Sequence, residues 1–132
     1  MNASAITRIV IVDDNDLMRT VLRGILRSDT YEVIGEARNG AVALDMIDRL
    51  RPEVVFLDVM MPEMDGLEAL QAIKLAQPET VVIMVTGKPS VDNVQESIQH
   101  GAAGFIVKPF NAGKVLATLA QALASARRTV TS

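Results

Sequence analysis

Five short runs of apolar, mostly β-branched residues punctuate the chain, at residues 9–12, 33–34, 54–57, 81–85 and 105–107. Most are apolar without a break. A strand wetted on one face alternates polar and apolar side chains, so continuous runs of this length suit parallel strands covered on both faces. Longer stretches with helical spacing lie between them. Leu17, Val21, Leu22, Ile25 and Leu26 form one stripe; Val42, Leu44, Met46, Ile47 and Leu50 form a second, less regular one. Leu67, Leu70, Ile73 and Leu75 follow, then Val91, Val94 and Ile98, then Val115, Leu116, Leu119 and Leu123. Pro52 and Pro78 stand between a helix and the next strand, and Gly101 follows the fourth helix, where breakers are needed. Five strand–helix units with short connections predict an α/β fold: one parallel sheet, right-handed crossovers and helices on both faces.

A chain of 132 residues fits one domain, and folding at that size buries roughly two-thirds of the unfolded surface. We expect a single domain over residues 1–132, with segment 124–132 as the frayed end of the last helix and no linker to an output domain. The chain is 49% apolar and 22% charged, far from a disordered composition. A net charge of -3 and a pI near 5.1 argue against a nucleic-acid binder or a ligand of acidic membranes. The absence of cysteine excludes disulfides, a thiolate nucleophile and Cys-ligated zinc. Residues 9–12 are the only strongly apolar stretch near the start and two aspartates follow them, which does not make a signal peptide. No run approaches the ~20 residues of a membrane span. The expected location is the cytoplasm.

Ligands of such sheets bind outside the carboxyl ends of the strands. The first strand ends in Asp13-Asp14, the third in Asp58, the fourth in Thr86-Gly87 and the fifth in Lys108-Pro109. The second ends near Ala37-Arg38 with nothing reactive. Packed carboxylates raise one another's pKa unless a cation compensates. Mg²⁺ suits them, as a hard ion that takes oxygen ligands and keeps several waters. Lys108 adds a point charge and Thr86 a hydroxyl. Asp58, alone at the end of an apolar strand, is the natural nucleophile, and its attack on phosphorus gives an aspartyl-phosphate. Metal, lysine and hydroxyl would then neutralise the phosphoryl oxygens. Taken singly, Asp14, Asn15 or Asp16 reads better as a helix cap. Complementary groups at four strand ends of five are not explained by capping.

Four blocks in order, residues 9–14 (IVIVDD), 54–66 (VVFLDVMMPEMDG), 84–87 (MVTG) and 101–110 (GAAGFIVKPF), resemble the receiver domains of response regulators, stand-alone chemotaxis regulators among them. The resemblance covers about residues 6–127. It implies a flavodoxin-like five-stranded sheet of order 2-1-3-4-5 with five helices. Asp58 would be the phospho-acceptor, charged by a sensor histidine kinase or a histidine phosphotransfer protein. Asp13, Asp14, Asp58 and the backbone carbonyl of Met60 would hold Mg²⁺, and Lys108 would grip the phosphoryl group, its bond to Pro109 being cis. Thr86 and Phe105 match the family's switch pair, with phenylalanine where the chemotaxis protein has tyrosine. Pro62, Gly66, Gly87 and Pro109 read as loop-shaping residues. The implied protein is a switch rather than an enzyme, a monomer or weak phosphorylation-dependent dimer. It would signal to a downstream protein through helix four, strand five and helix five.

A phosphorelay intermediate would share all these residues. A haloacid-dehalogenase-type phosphatase needs a second aspartate two residues past its nucleophile, where Met60 stands. A flavin carrier needs a Ser-, Thr- and Gly-rich phosphate loop where residues 13–16 read Asp-Asp-Asn-Asp. The lone His100 reads as a helix C-terminal cap, Met60, Met61 and Met64 as adaptable filler, and Arg127-Arg128 as favourable charge at a helix end. Lys88, two residues past Thr86, is either a solvated loop residue or an influence on phosphate lifetime.

Overall fold

The structure is a computed structural model that describes residues 6–131, with side chains described through Ala126. Strands β1 (Thr7–Val12), β2 (Tyr31–Ala37), β3 (Val54–Asp58), β4 (Val81–Thr86) and β5 (Gly104–Val107) alternate with five helices. These are α1 (Asp16–Leu26), α2 (Gly40–Leu50), α3 (Gly66–Ala76), α4 (Val91–Gln99) and α5 (Ala112–Thr131). All pairings are parallel and the order is β2-β1-β3-β4-β5, as expected.

Every residue of β3 and β4 is buried, which explains their unbroken apolar sequence. The alternate faces carry separate cores. Ile9, Ile11, Phe56, Ile83 and Ile106 pack with Leu22, Leu26, Val115 and Leu119, from α1 and α5. Val10, Val12, Val55, Leu57, Val82 and Met84 pack with Ile47, Leu70 and Ile73, from α2 and α3.

Helix starts follow from local chemistry. Asn15, Asn39, Asp65 and Ser90 each accept, through their side chains, the N–H three residues on. Asn15 is thus the cap of α1, leaving Asp14 and Asp16 for other work. His100 is the C-cap of α4, and Gly101 follows at φ 96, the left-handed position that favours glycine.

The helical stripes come out only in part. Leu22 and Leu26 are buried, but Leu17 and Val21 are exposed, as is Leu75 of α3. On α4 the expected stripe is reversed: Val91 is 72% and Ile98 63% exposed, while Ser97 is fully buried. A small hydroxyl tolerates that burial because its Oγ donates to the Asn93 carbonyl at 2.7 Å. One irregularity escapes the sequence altogether. Between β1 and β2, Ile9 faces Val33 but Val10 faces Gly35, so Ile34 is an extra residue. The bulge inverts the side-chain alternation beyond it and turns Glu36 toward α1.

Candidate functional site

The carboxyl ends of β1, β3 and β5 bring Asp13, Asp14, Asp58 and Lys108 together. One carboxylate oxygen from each of the three aspartates lies within 4.8 Å of the others; Asp13 and Asp58 are buried and Asp14 is exposed. Asp13 is held from several sides. Its N–H donates to the Ala37 carbonyl at 3.0 Å, and its Oδ1 accepts the Asn15 N–H at 2.9 Å. Lys108 Nζ lies 3.0 Å from Asp13 Oδ2 and 3.7 Å from Asp58 Oδ2. The lysine is therefore bonded to the first acid and only near the third.

Asp58 Oδ1 accepts the Met60 N–H at 3.1 Å. Burial pushes its carboxyl up from 3.8 to about 6, and the Asp13 carboxylate adds to the rise. The Met60 N–H and the Lys108 ammonium pull it down without cancelling that, and Asp14 raises it slightly. One ammonium does not balance three carboxylates. The donor set, all carboxylate oxygen with one ligand open to water, fits a hard divalent cation such as Mg²⁺.

Around this centre the loops take defined shapes. Gly66 N–H donates to the Val59 carbonyl at 2.8 Å, and a Cβ on Gly66 would sit 2.2 Å from the Asp58 carbonyl oxygen. Only glycine lets α3 approach the strand end that closely. Pro62 contributes its carbonyl to the Met64 N–H across Glu63, whose φ of 70 makes a three-residue turn that the sequence does not signal. The Lys108–Pro109 bond is cis. A Cβ on Gly87 would meet only ordinary contacts with Lys108, the nearest at 3.8 Å.

Thr86 is fully buried, and its Oγ1 accepts the Lys88 N–H at 3.1 Å. Phe105, opposite Met84 in the β4–β5 ladder, is half-buried against the core of the α2–α3 face. The His100 ring lies 3.4 Å from the Gln71 amide nitrogen, on the α3 side and away from the acids. The side chains of Arg127 and Arg128 lie outside the described residues. Sequence reading missed Arg19, whose guanidinium donates to the Asp13 carbonyl at 2.5 Å. The available signal was a cation in the first turn of a helix, against the macrodipole.

An open parallel sheet with three carboxylates and a lysine converging on its carboxyl rim defines a receiver-type α/β domain. Residues 9–120 match the response regulator receiver domain, and the chain belongs to that family. It is 44% identical over 115 residues to the chemotaxis protein CheY of Listeria monocytogenes, covering 87% of this chain and 97% of that one. A CheY-like receiver domain protein from Methanospirillum hungatei superposes with a TM-score of 0.87 at 29% identity, over 95% of this chain and 99% of that one. The Borrelia burgdorferi CheX-CheY-BeF3-Mg+2 complex matches with a TM-score of 0.82 at 30% identity, over 86% of each chain.

Proposed function

We propose that the protein is a phosphorylation-activated switch that accepts a phosphoryl group from a histidine kinase onto Asp58. The N–P bond of a phosphohistidine breaks as an O–P bond forms at an Asp58 carboxylate oxygen, and the imidazole leaves as a proton reaches its nitrogen. Asp13, Asp14, Asp58 and the Met60 carbonyl are the residues that would hold Mg²⁺. Bound there, the ion supplies positive charge to the phosphoryl oxygens. Lys108, 3.7 Å from Asp58 Oδ2, transfers its attention from Asp13 to the incoming group. The observation that carries this reading is Asp58 itself, a buried carboxylate at a strand end beside two further acids.

Output follows from the loop beyond β4. The Thr86 hydroxyl exchanges the Lys88 N–H for a phosphoryl oxygen, and Phe105 moves into the space released. Val91 and Ile98 of α4, Val107 of β5 and Leu116 of α5 are large apolar side chains already exposed on the elements concerned. They suit a partner protein's docking face. The protein works as a switch and carries out only its own phosphorylation and dephosphorylation. A cytoplasmic location is part of the reading, and no helix among the described residues is long and apolar enough to cross a membrane.

Acetyl phosphate with Mg²⁺ tests the assignment. Intact-mass measurement should find one added phosphoryl group, labile to base, and none on Asp58→Asn. Full phosphorylation of Asp58→Asn would refute the acceptor.

A further inference from the structure

We propose that Arg19 positions the first acidic carboxylate, and through it the divalent-cation site, as a strut between α1 and the edge strand β2. The proposal rests on the reading of Asp13, Asp14 and Asp58 as that site. Arg19 is the fourth residue of α1, where a positive charge opposes the helix dipole. Its i,i+3 pair with Asp16 offsets that opposition in part, but accounts for neither the Asp13 nor the Glu36 contact. Its side chain is only 14% exposed, and each of its three nitrogens faces an oxygen of its own.

Nη1 donates to the Asp13 carbonyl at 2.5 Å, Nη2 to the Asp16 carboxylate, and Nε lies 3.4 Å from Glu36 Oε1. Arg23 holds the other Glu36 oxygen from one turn further along α1. The Asp13 carbonyl stands just past the end of the β1 ladder, so Arg19 satisfies a backbone acceptor that the sheet leaves over. The Asp13 N–H is already committed to Ala37. With both backbone groups tied, the direction in which the Asp13 carboxylate leaves the strand is set. Glu36 reaches Arg19 only because the bulge at Ile34 turns it to the α1 face.

Geometry and simple charge make opposite predictions. If Arg19 acted only as a nearby cation, removing it would tighten Mg²⁺ binding. As a positioning residue its loss should weaken binding about tenfold, the usual scale for groups that orient metal ligands. Arg19→Lys keeps the charge but offers a point donor in place of a planar fork, so it should also weaken binding. Calorimetric Mg²⁺ titration of the wild type, Arg19→Met and Arg19→Lys decides between these. A second readout is the Asp14 amide nitrogen resonance. Asp14 N–H shares a peptide group with the Asp13 carbonyl, so loss of the Arg19 bond should move that resonance upfield in both variants. Should Arg19→Met fail to fold, Arg19→Lys carries the same test free of any change in charge. Arg19→Lys with wild-type Mg²⁺ affinity, or Arg19→Met with tighter binding, overturns the proposal. A wild type that binds no Mg²⁺ overturns instead the reading of the acidic trio.

Discussion

Asp58 is held above its ordinary range, to about 6, chiefly by burial. A carboxyl with a raised native pKa makes the native state bind more protons than the unfolded one between 3.8 and about 6. Its favourable contribution is complete below the unfolded value and is lost as pH rises through about 6. At pH 7 the ionised group costs about 3 kcal/mol at most, at roughly 1.4 kcal/mol per unit. Asp58→Asn, without metal, should therefore be more stable than the wild type at pH 7.5 by roughly 2 kcal/mol. That gain should shrink toward pH 4; urea unfolding at the two pH values measures it, and a gain that grows on acidification contradicts the assigned cause. The two neighbouring acids should behave differently. Asp14 is exposed and adds only repulsion, so Asp14→Ala should weaken Mg²⁺ binding while leaving the metal-free fold as stable or slightly more so. Asp13 accepts from Asn15 and pairs with Lys108, so Asp13→Ala should weaken metal binding and also destabilise by roughly 1–3 kcal/mol. Parallel melting curves for the two variants, without metal, would expose any failure of that split.

Among the elements, α3 is the one whose placement depends on a single atom's absence. A Cβ on Gly66 meets backbone, not a yielding side chain, at 2.2 Å from the Asp58 carbonyl oxygen. Gly66→Ala should destabilise by roughly 3 kcal/mol, the upper range for overpacking. That is about 10 °C in Tm at this size. A melting temperature within 2 °C of wild type, read to roughly the error of a scan, would show that α3 can retreat without cost. Strands were legible because continuous apolar runs have few interpretations, and cap residues such as Asn39 and Asp65 mark helix starts chemically. The buried side of α4 was not legible. Periodicity favours Val91, Val94 and Ile98, yet it is Ser97 that is buried, its hydroxyl satisfied within its own helix. A helix carrying apolar residues on its outer side gives misleading spacing. The bulge at Ile34 is silent for a different reason: register belongs to a pair of strands, and one strand's residues do not encode it.

For the molecule as a whole, the acidic trio and its lysine were readable because strand ends of a parallel sheet meet at one rim. The preference of Lys108 for Asp13 over Asp58 was not, since it depends on side-chain reach across two intervening strands. The proposed coupling from that rim to α4 runs through Thr86, whose hydroxyl now holds the Lys88 N–H. With beryllofluoride and Mg²⁺ the amide resonances of α4 should shift in the wild type, and Thr86→Ala should lose most of that shift while still binding the mimic. An equal response in both proteins would remove Thr86 from the route.

The Lys108–Asp13 ion pair joins residues 95 positions apart. During synthesis the three aspartates emerge well before that lysine, since chains fold from the amino end as they grow. Until β5 docks, the rim formed by β1 and β3 holds like charges with no ammonium from Lys108 beside them, and it resists its own closure. Completing the sheet is therefore also the event that makes the rim tolerable. A chain cut before residue 104 would not be a weakened regulator; it would lack both the edge strand and the charge that lets the acids sit together.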